Sequence, residues 1–181
     1  MSSSNLIRWG GLAALVAGVL FVLVNLITLF VFFEGLGGGA ASPGLLLRSA
    51  VAPVSGVLLL LGLVGLYVNQ LEATGVPGLI SFLAAFSGTV LAQSFAPVVL
   101  LASLGWALFG VSCLRAGVYP HMAAVLLIIG AVGTGAIRTL TSAGPGSVLL
   151  YVGADVILNV AIAWLGFSLF TRRGEGAPRA M

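Results

Sequence analysis

The chain of 181 residues has no lysine, one aspartate, three glutamates, one histidine and one cysteine, and only 6% of its residues are charged. A water-soluble domain carries about 25% charged residues, so a surface this poor in charge cannot face water. The single cysteine, Cys113, excludes an intrachain disulfide, a CxxC redox pair and a four-cysteine zinc site. The single histidine, His121, follows Pro120 and reads as a polar residue at a membrane edge. There is no HExxH motif, no pair of carboxylates at useful spacing, and no glycine-rich loop followed by Lys-Ser/Thr. With no nucleophile–base pair and no metal-ligand set, the chain reads as non-catalytic, without cofactor or metal. All seven basic residues are arginines at the edges of apolar runs rather than in one patch, which argues against a nucleic-acid partner. Arginine without lysine also points to a GC-rich bacterial genome, because lysine codons are AT-rich.

What is present is apolar sequence: 60% hydrophobic residues and a mean hydropathy of +1.24. Charge-free runs occupy 9–33, 49–71, 73–114, 116–137, 139–154 and 156–171. Runs of this kind are the signature of helices that span a bilayer. Pro43, Pro77, Pro97, Pro120 and Pro145 each stand where a new apolar run begins. Proline suits the first turn of a helix, where its missing N–H has no partner to lose. The run 73–114 would make a helix of ~63 Å, about twice the hydrocarbon thickness, so it is divided at Gln93-Ser94 with a new helix from Pro97. The sequence therefore predicts an all-α membrane bundle, a single domain over 1–181. Its six transmembrane helices fall at about 6–33, 43–67, 77–93, 97–114, 120–140 and 146–170, and a disordered cytoplasmic tail occupies 171–181. The first segment is too long for a signal peptide core and is expected to stay. Ser42 is the expected N-cap of the second helix, and Pro53 is expected to kink it.

An even number of spans places both termini on one side. Arg8, Arg115, Arg172, Arg173 and Arg179 would share that side, against Arg48 and Arg138 on the other, so the positive-inside rule makes it the cytoplasm. Trp9, Trp106, Trp164, Tyr67 and Tyr119 read as interfacial anchors.

The sharpest chemical feature is Asp155, the sole aspartate, ~13 Å below the outer surface in the sixth span. An ionisable group at that depth is costly and marks a candidate site. Tyr151 and Asn159 lie one turn either side of it on the same face, and Asn25 in the first span lies at a similar depth. Arg48 and Arg138, near the outer ends of their spans, could reach down to the carboxylate. Two stripes of small residues, Gly10, Ala14 and Gly18, and Ala84, Gly88 and Ala92, are candidates for close helix–helix contact.

Over 105–130 a helix ends at Leu114-Arg115-Ala116-Gly117, and the Tyr119-Pro120 turn leads into another apolar helix. This stretch resembles a segment of small multi-pass bacterial membrane proteins of unknown function. The resemblance implies a helical hairpin and brings no activity or site residue with it. Six spans with cytoplasmic termini also look like the substrate-binding subunits of vitamin-uptake transporters, and Ala13 and Ala17 on the first helix resemble their contact surface with a partner subunit. Two readings follow. In the first, the protein is a structural or accessory subunit of the bacterial cytoplasmic membrane, with lipid and other membrane subunits or a second copy as partners. Asp155 then pairs with Arg138 or Arg48 while the asparagines bridge helices and fix the packing, and its carboxylate is expected within salt-bridge or hydrogen-bond distance of Arg138, Arg48 or Asn25. In the second, the same polar residues line a pocket in the outer half of the bundle, and the protein binds or transports a small solute.

Overall fold

A computed structural model of the chain describes residues 3–36, 43–92, 98–140 and 144–171. These form five helices: α1 (Ser3–Leu36), α2 (Pro43–Ala92), α3 (Val99–Ala116), α4 (His121–Leu140) and α5 (Pro145–Thr171). All five are long and apolar enough to cross a membrane, the architecture of a multi-pass membrane protein.

The expected second and third helices are the two arms of α2, which meet at a kink rather than through the loop expected over 69–76, so that the described residues form five helices with this pair taken together. Helical backbone runs on past Tyr67 because 69–74 contains no strong breaker other than its end. The break falls on Gly75, whose φ of 53° and ψ of −140° lie in a region open essentially to glycine alone. Pro77 follows this bend rather than starting a separate element. The bend turns the chain back on itself. Tyr67 and Phe82 stack with ring centroids 4.5 Å apart, whereas on an unbroken helix they would lie ~22 Å apart. Pro53 leaves the helical backbone angles unbroken, since the fixed φ of proline is itself helical. Pro43 and Pro145 do open helices, and Pro120 immediately precedes one. At the other end of α3, Gly117 takes a left-handed φ of 62° and its N–H returns to the Leu114 carbonyl at 3.3 Å, a glycine C-cap. The proposed division at Gln93-Ser94 and Pro97, the Ser42 cap and the tail beyond Thr171 lie outside the described residues.

Each helix packs antiparallel on its neighbours, and α5 returns to α1. Among the described residues the helices therefore form a closed ring, with only a slight further contact between α2 and α5. Small residues set the spacing. A Cβ placed on Gly65 would come within 2.5 Å of the Gly10 Cα, and one on Gly62 within 2.6 Å of the Ala14 Cα. One on Gly18 would meet the Asn159 carbonyl oxygen at 2.6 Å, and one on Gly88 the Ala102 Cα at 2.6 Å. Gly105 sits directly on the backbone of Ala84 and Ala85. Both small-residue stripes thus face other helices of the same chain, except that Ala92, at the end of its stripe, borders a cavity. Such contacts suit association in lipid, where dispersion between close backbones replaces the hydrophobic effect.

Three of the expected interfacial anchors are inside the ring. Trp106, Tyr67 and Tyr119 are buried, and only Trp9 and Trp164 are exposed. The direction in which Tyr67 and Trp106 face depends on the rotation of their helices, and Tyr119, in the turn before α4, is held inside by its hydrogen bond to the Leu66 carbonyl.

Gly75→Val is expected to lower the thermal midpoint in mild detergent, since a non-glycine residue held in such a backbone region costs ~1–3 kcal/mol. A side chain at Gly75 meets no atom within 4 Å, so the loss would be conformational. Gly153→Ala, equally open in space and without the positive φ, should leave the midpoint unchanged. Equal midpoints for the two variants would show that the bend does not need glycine.

Candidate functional site: a polar cavity inside the helix ring

The i, i+4, i+8 spacing of Tyr151, Asp155 and Asn159 puts all three on the face of α5 that looks into the ring. Asn25, on α1, meets them from the side: its Nδ2 donates to Asp155 Oδ2 at 2.7 Å and to the Phe21 carbonyl at 3.0 Å. Asn159 Nδ2 donates to the same Oδ2 at 3.0 Å and to the Asp155 backbone carbonyl at 2.7 Å. Two carboxamides thus hold one oxygen of the carboxylate. The other, Oδ1, accepts no bond from any described group and is not among the enclosed, unpartnered atoms, so it fronts the cavity that Asp155 lines.

That cavity measures about 210 Å³ and draws walls from all five helices. Phe21 comes from α1; Leu59, Thr89 and Ala92 from the two arms of α2; Ser103 and Trp106 from α3; Thr134 and Arg138 from α4; and Asp155, Asn159 and Ile162 from α5. It lies toward the end of the ring where α4 finishes and α5 begins. The opposite half is filled by fully buried side chains, among them Leu63, Leu66, Phe109, Leu127, Leu165 and Leu169. Described side chains therefore close the cavity on that side, and Arg138 and Tyr151 lie at its other end.

Arg138 and Asp155 carry opposite charge in this one cavity but do not pair: among the described residues no ion pair joins Asp155 to an arginine. Arg138 instead donates from Nη2 to the Tyr151 hydroxyl at 3.0 Å, with its guanidinium carbon 4.5 Å from the ring centroid. The structure thus corrects the expectation that Arg138 or Arg48 neutralises Asp155. Arg48 lies outside the cavity, exposed in a shallow groove with Leu45, Ser49, Ala52 and Pro53. The reason is local: Tyr151 stands one turn nearer the Arg138 end than Asp155 and meets the arginine first.

Several cavity residues were not singled out from the sequence. Trp106 Nε1 donates to Thr89 Oγ1 at 3.0 Å, and Thr89 in turn donates to the Ala85 carbonyl at 2.7 Å. Thr134 Oγ1 donates to the Gly130 carbonyl at 2.6 Å. Ser103 also lines the cavity, with no bond from its hydroxyl to a described group. A hydroxyl that returns its proton to its own helix keeps its lone pairs available, so these walls are rich in acceptors. In the filled half, Ser81 and Ser112 pair at 3.0 Å, and Tyr119 donates to the Leu66 carbonyl at 2.8 Å. There Gln70 is wholly enclosed, and neither polar atom of its amide has a partner among the described residues.

Fold and site together define a helical multi-pass membrane protein with a walled polar cavity. Comparison with protein-family models, with curated proteins and with solved structures gives no match for this chain.

Asn25→Leu is expected to cost ~2 kcal/mol in detergent, because it removes a charge-assisted bond while Asp155 stays in place. Arg138→Gln should cost under ~1 kcal/mol, as its side chain is exposed and not ion-paired. The reverse order in thermal or chemical denaturation would mean that Asp155 depends on the arginine after all.

Proposed function

We propose that this is a multi-pass protein of the bacterial cytoplasmic membrane that binds a small polar solute within its helix ring, as a solute-binding or transport component rather than an enzyme. One observation carries the reading: all five helices converge on a cavity in which a carboxylate, held by two amides, keeps one oxygen unused. A carboxylate serving only to fix packing would be expected to spend both oxygens on the protein, since buried polar groups without partners are expensive in hydrocarbon. The accessory-subunit reading keeps one observation of its own, an apolar groove between α1 and α2 that includes Trp9, Ala13 and Leu61. Ala17, by contrast, is buried inside the ring.

In this proposal the two arms of α2 each cross the membrane, which gives six crossings and puts both termini on one side. Arg8 and Arg115, with Arg172, Arg173 and Arg179, then face the cytoplasm, and the cavity mouth at Arg138 opens to the outside. At ~1.5 Å per residue a straight α2 would reach ~75 Å, far beyond one bilayer, which supports two crossings.

A reporter active only outside the cytoplasm, fused after Met181, is expected to be silent; strong activity would require an odd number of crossings. Native mass spectrometry after mild-detergent extraction is expected to find a small molecule on the wild type that Asp155→Asn loses. Bound protein subunits with no small molecule would favour the accessory reading.

A further inference from the structure

Resting on the solute-binding reading, we infer that the ligand of this cavity is a small zwitterion, its ammonium group on Asp155 and its acidic group on Arg138.

The inference comes from two charges that share a cavity without neutralising each other. On adjacent packed helices, a carboxylate and a guanidinium in a poorly screened space would ordinarily pair, because attraction grows as the surrounding dielectric falls. Here each is held back by a neutral neighbour. Asn25 and Asn159 fix Asp155 through Oδ2, and Tyr151 fixes Arg138 through a hydrogen bond and its ring. What remains to each group faces the cavity: Oδ1 of the carboxylate, and the guanidinium N–H groups that Tyr151 does not take. Tyr151 precedes Asp155 by one helical turn, ~6 Å of rise along α5, so the arginine that Tyr151 holds is stationed toward the Arg138 end and the carboxylate deeper.

A lone cation would satisfy Asp155 and leave Arg138 without a counter-ion; a lone anion would do the reverse. A molecule carrying both charges a few bonds apart satisfies both and enters with no net charge, which lowers the cost of leaving water. Around Asp155 the surroundings suit an ammonium group. Ser103, Thr134 and Thr89 offer hydroxyl lone pairs, and Asn159 spends its donor on Asp155, which leaves its own carbonyl oxygen as an acceptor. The volume of about 210 Å³ is that of about seven water molecules at ~30 Å³ each, the scale of a short amino acid or of a zwitterionic lipid headgroup.

The test uses the full chain in mild detergent, with glycine, β-alanine and γ-aminobutyrate as probes of increasing charge separation, and ethylamine and propionate as single-charge controls. At least one zwitterion is expected to raise the thermal midpoint in a saturable way, while the controls at equal concentration do not. Arg138→Gln, at the exposed mouth and expected to fold normally, should weaken that zwitterion at least tenfold, as should Asp155→Asn. A parallel arm reconstitutes the protein in nanodiscs of phosphatidylethanolamine or phosphatidylglycerol. Retention of phosphatidylethanolamine alone, lost in Arg138→Gln, would assign the same chemistry to a lipid headgroup. Binding of ethylamine or propionate as tightly as any zwitterion, or zwitterion binding indifferent to Arg138→Gln, would overturn the inference while leaving a solute site in place. If no probe binds, and the native protein also carries no small molecule, both the inference and the solute-binding reading fail.

Discussion

The hydrogen bond from Asn25 to Asp155 joins the first helix to the last, and the shape of the molecule depends on that closure. Without α1 against α5 the chain would be a row of antiparallel hairpins, each touching only its neighbours in sequence. With it, the row becomes a ring that has an inside. The carboxylate makes the bond strong, because an ionised acceptor roughly doubles the strength of an ordinary hydrogen bond. Glycine makes the bond reachable: Gly18 on α1 lies against the Asn159 carbonyl and Gly11 against the backbone of α5, so the two helices approach until their polar side chains meet.

The ring is built differently along its length. At the end where α1 starts and α5 finishes, branched and aromatic side chains fill the interior completely. Toward the other end, Thr89, Ser103, Thr134, Asp155 and Asn159 face inward beside Phe21, Leu59, Leu158 and Ile162, and a cavity remains. Trp106 divides the two zones, buried and tied to Thr89, where its position in the sequence had pointed to a membrane-surface anchor. The outer surface carries many exposed leucines, valines and phenylalanines, as a lipid-facing surface should. An aqueous reading of exposure is therefore inverted here. Residues on the outside of the ring are dry, and water's place is among residues that are buried.

Much of this was legible in the sequence and some of it was not, for physical reasons. The apolar runs and their proline starts located α1, α4 and α5 to within a few residues, because hydropathy over a window and helix-start chemistry are local properties. Asp155 stood out because ionisable residues are rare in spans, and helical spacing was enough to add Tyr151 and Asn159. Equal depth was enough to add Asn25. Arg138, Arg48 and Asn25 were all expected within reach of Asp155, and only Asn25 bonds it; the choice among them depends on how helices rotate against one another, which no local pattern records. The break between the arms of α2 was expected over 69–76, but its sharpness was missed, because 69–74 is helical and a single glycine with an unusual backbone angle makes the bend. Ser103, Thr89 and Thr134 went unnoticed because hydroxyl residues that bond their own helix are common in apolar spans and carry no distinctive spacing.

The most direct test of the account asks which side of the α3 helix meets water. Ser103 is 8% exposed and faces the cavity, while its neighbour Leu104 is 61% exposed on the outside of the ring. In a Cys113→Ser background, Ser103→Cys and Leu104→Cys would each be treated with a small hydrophilic thiol reagent added to the outer face of intact cells. The account predicts that the buried Ser103→Cys is modified and the exposed Leu104→Cys is not, because one borders a cavity that the proposed topology opens to the outside and the other borders lipid. Labelling of Leu104→Cys with protection of Ser103→Cys would contradict it.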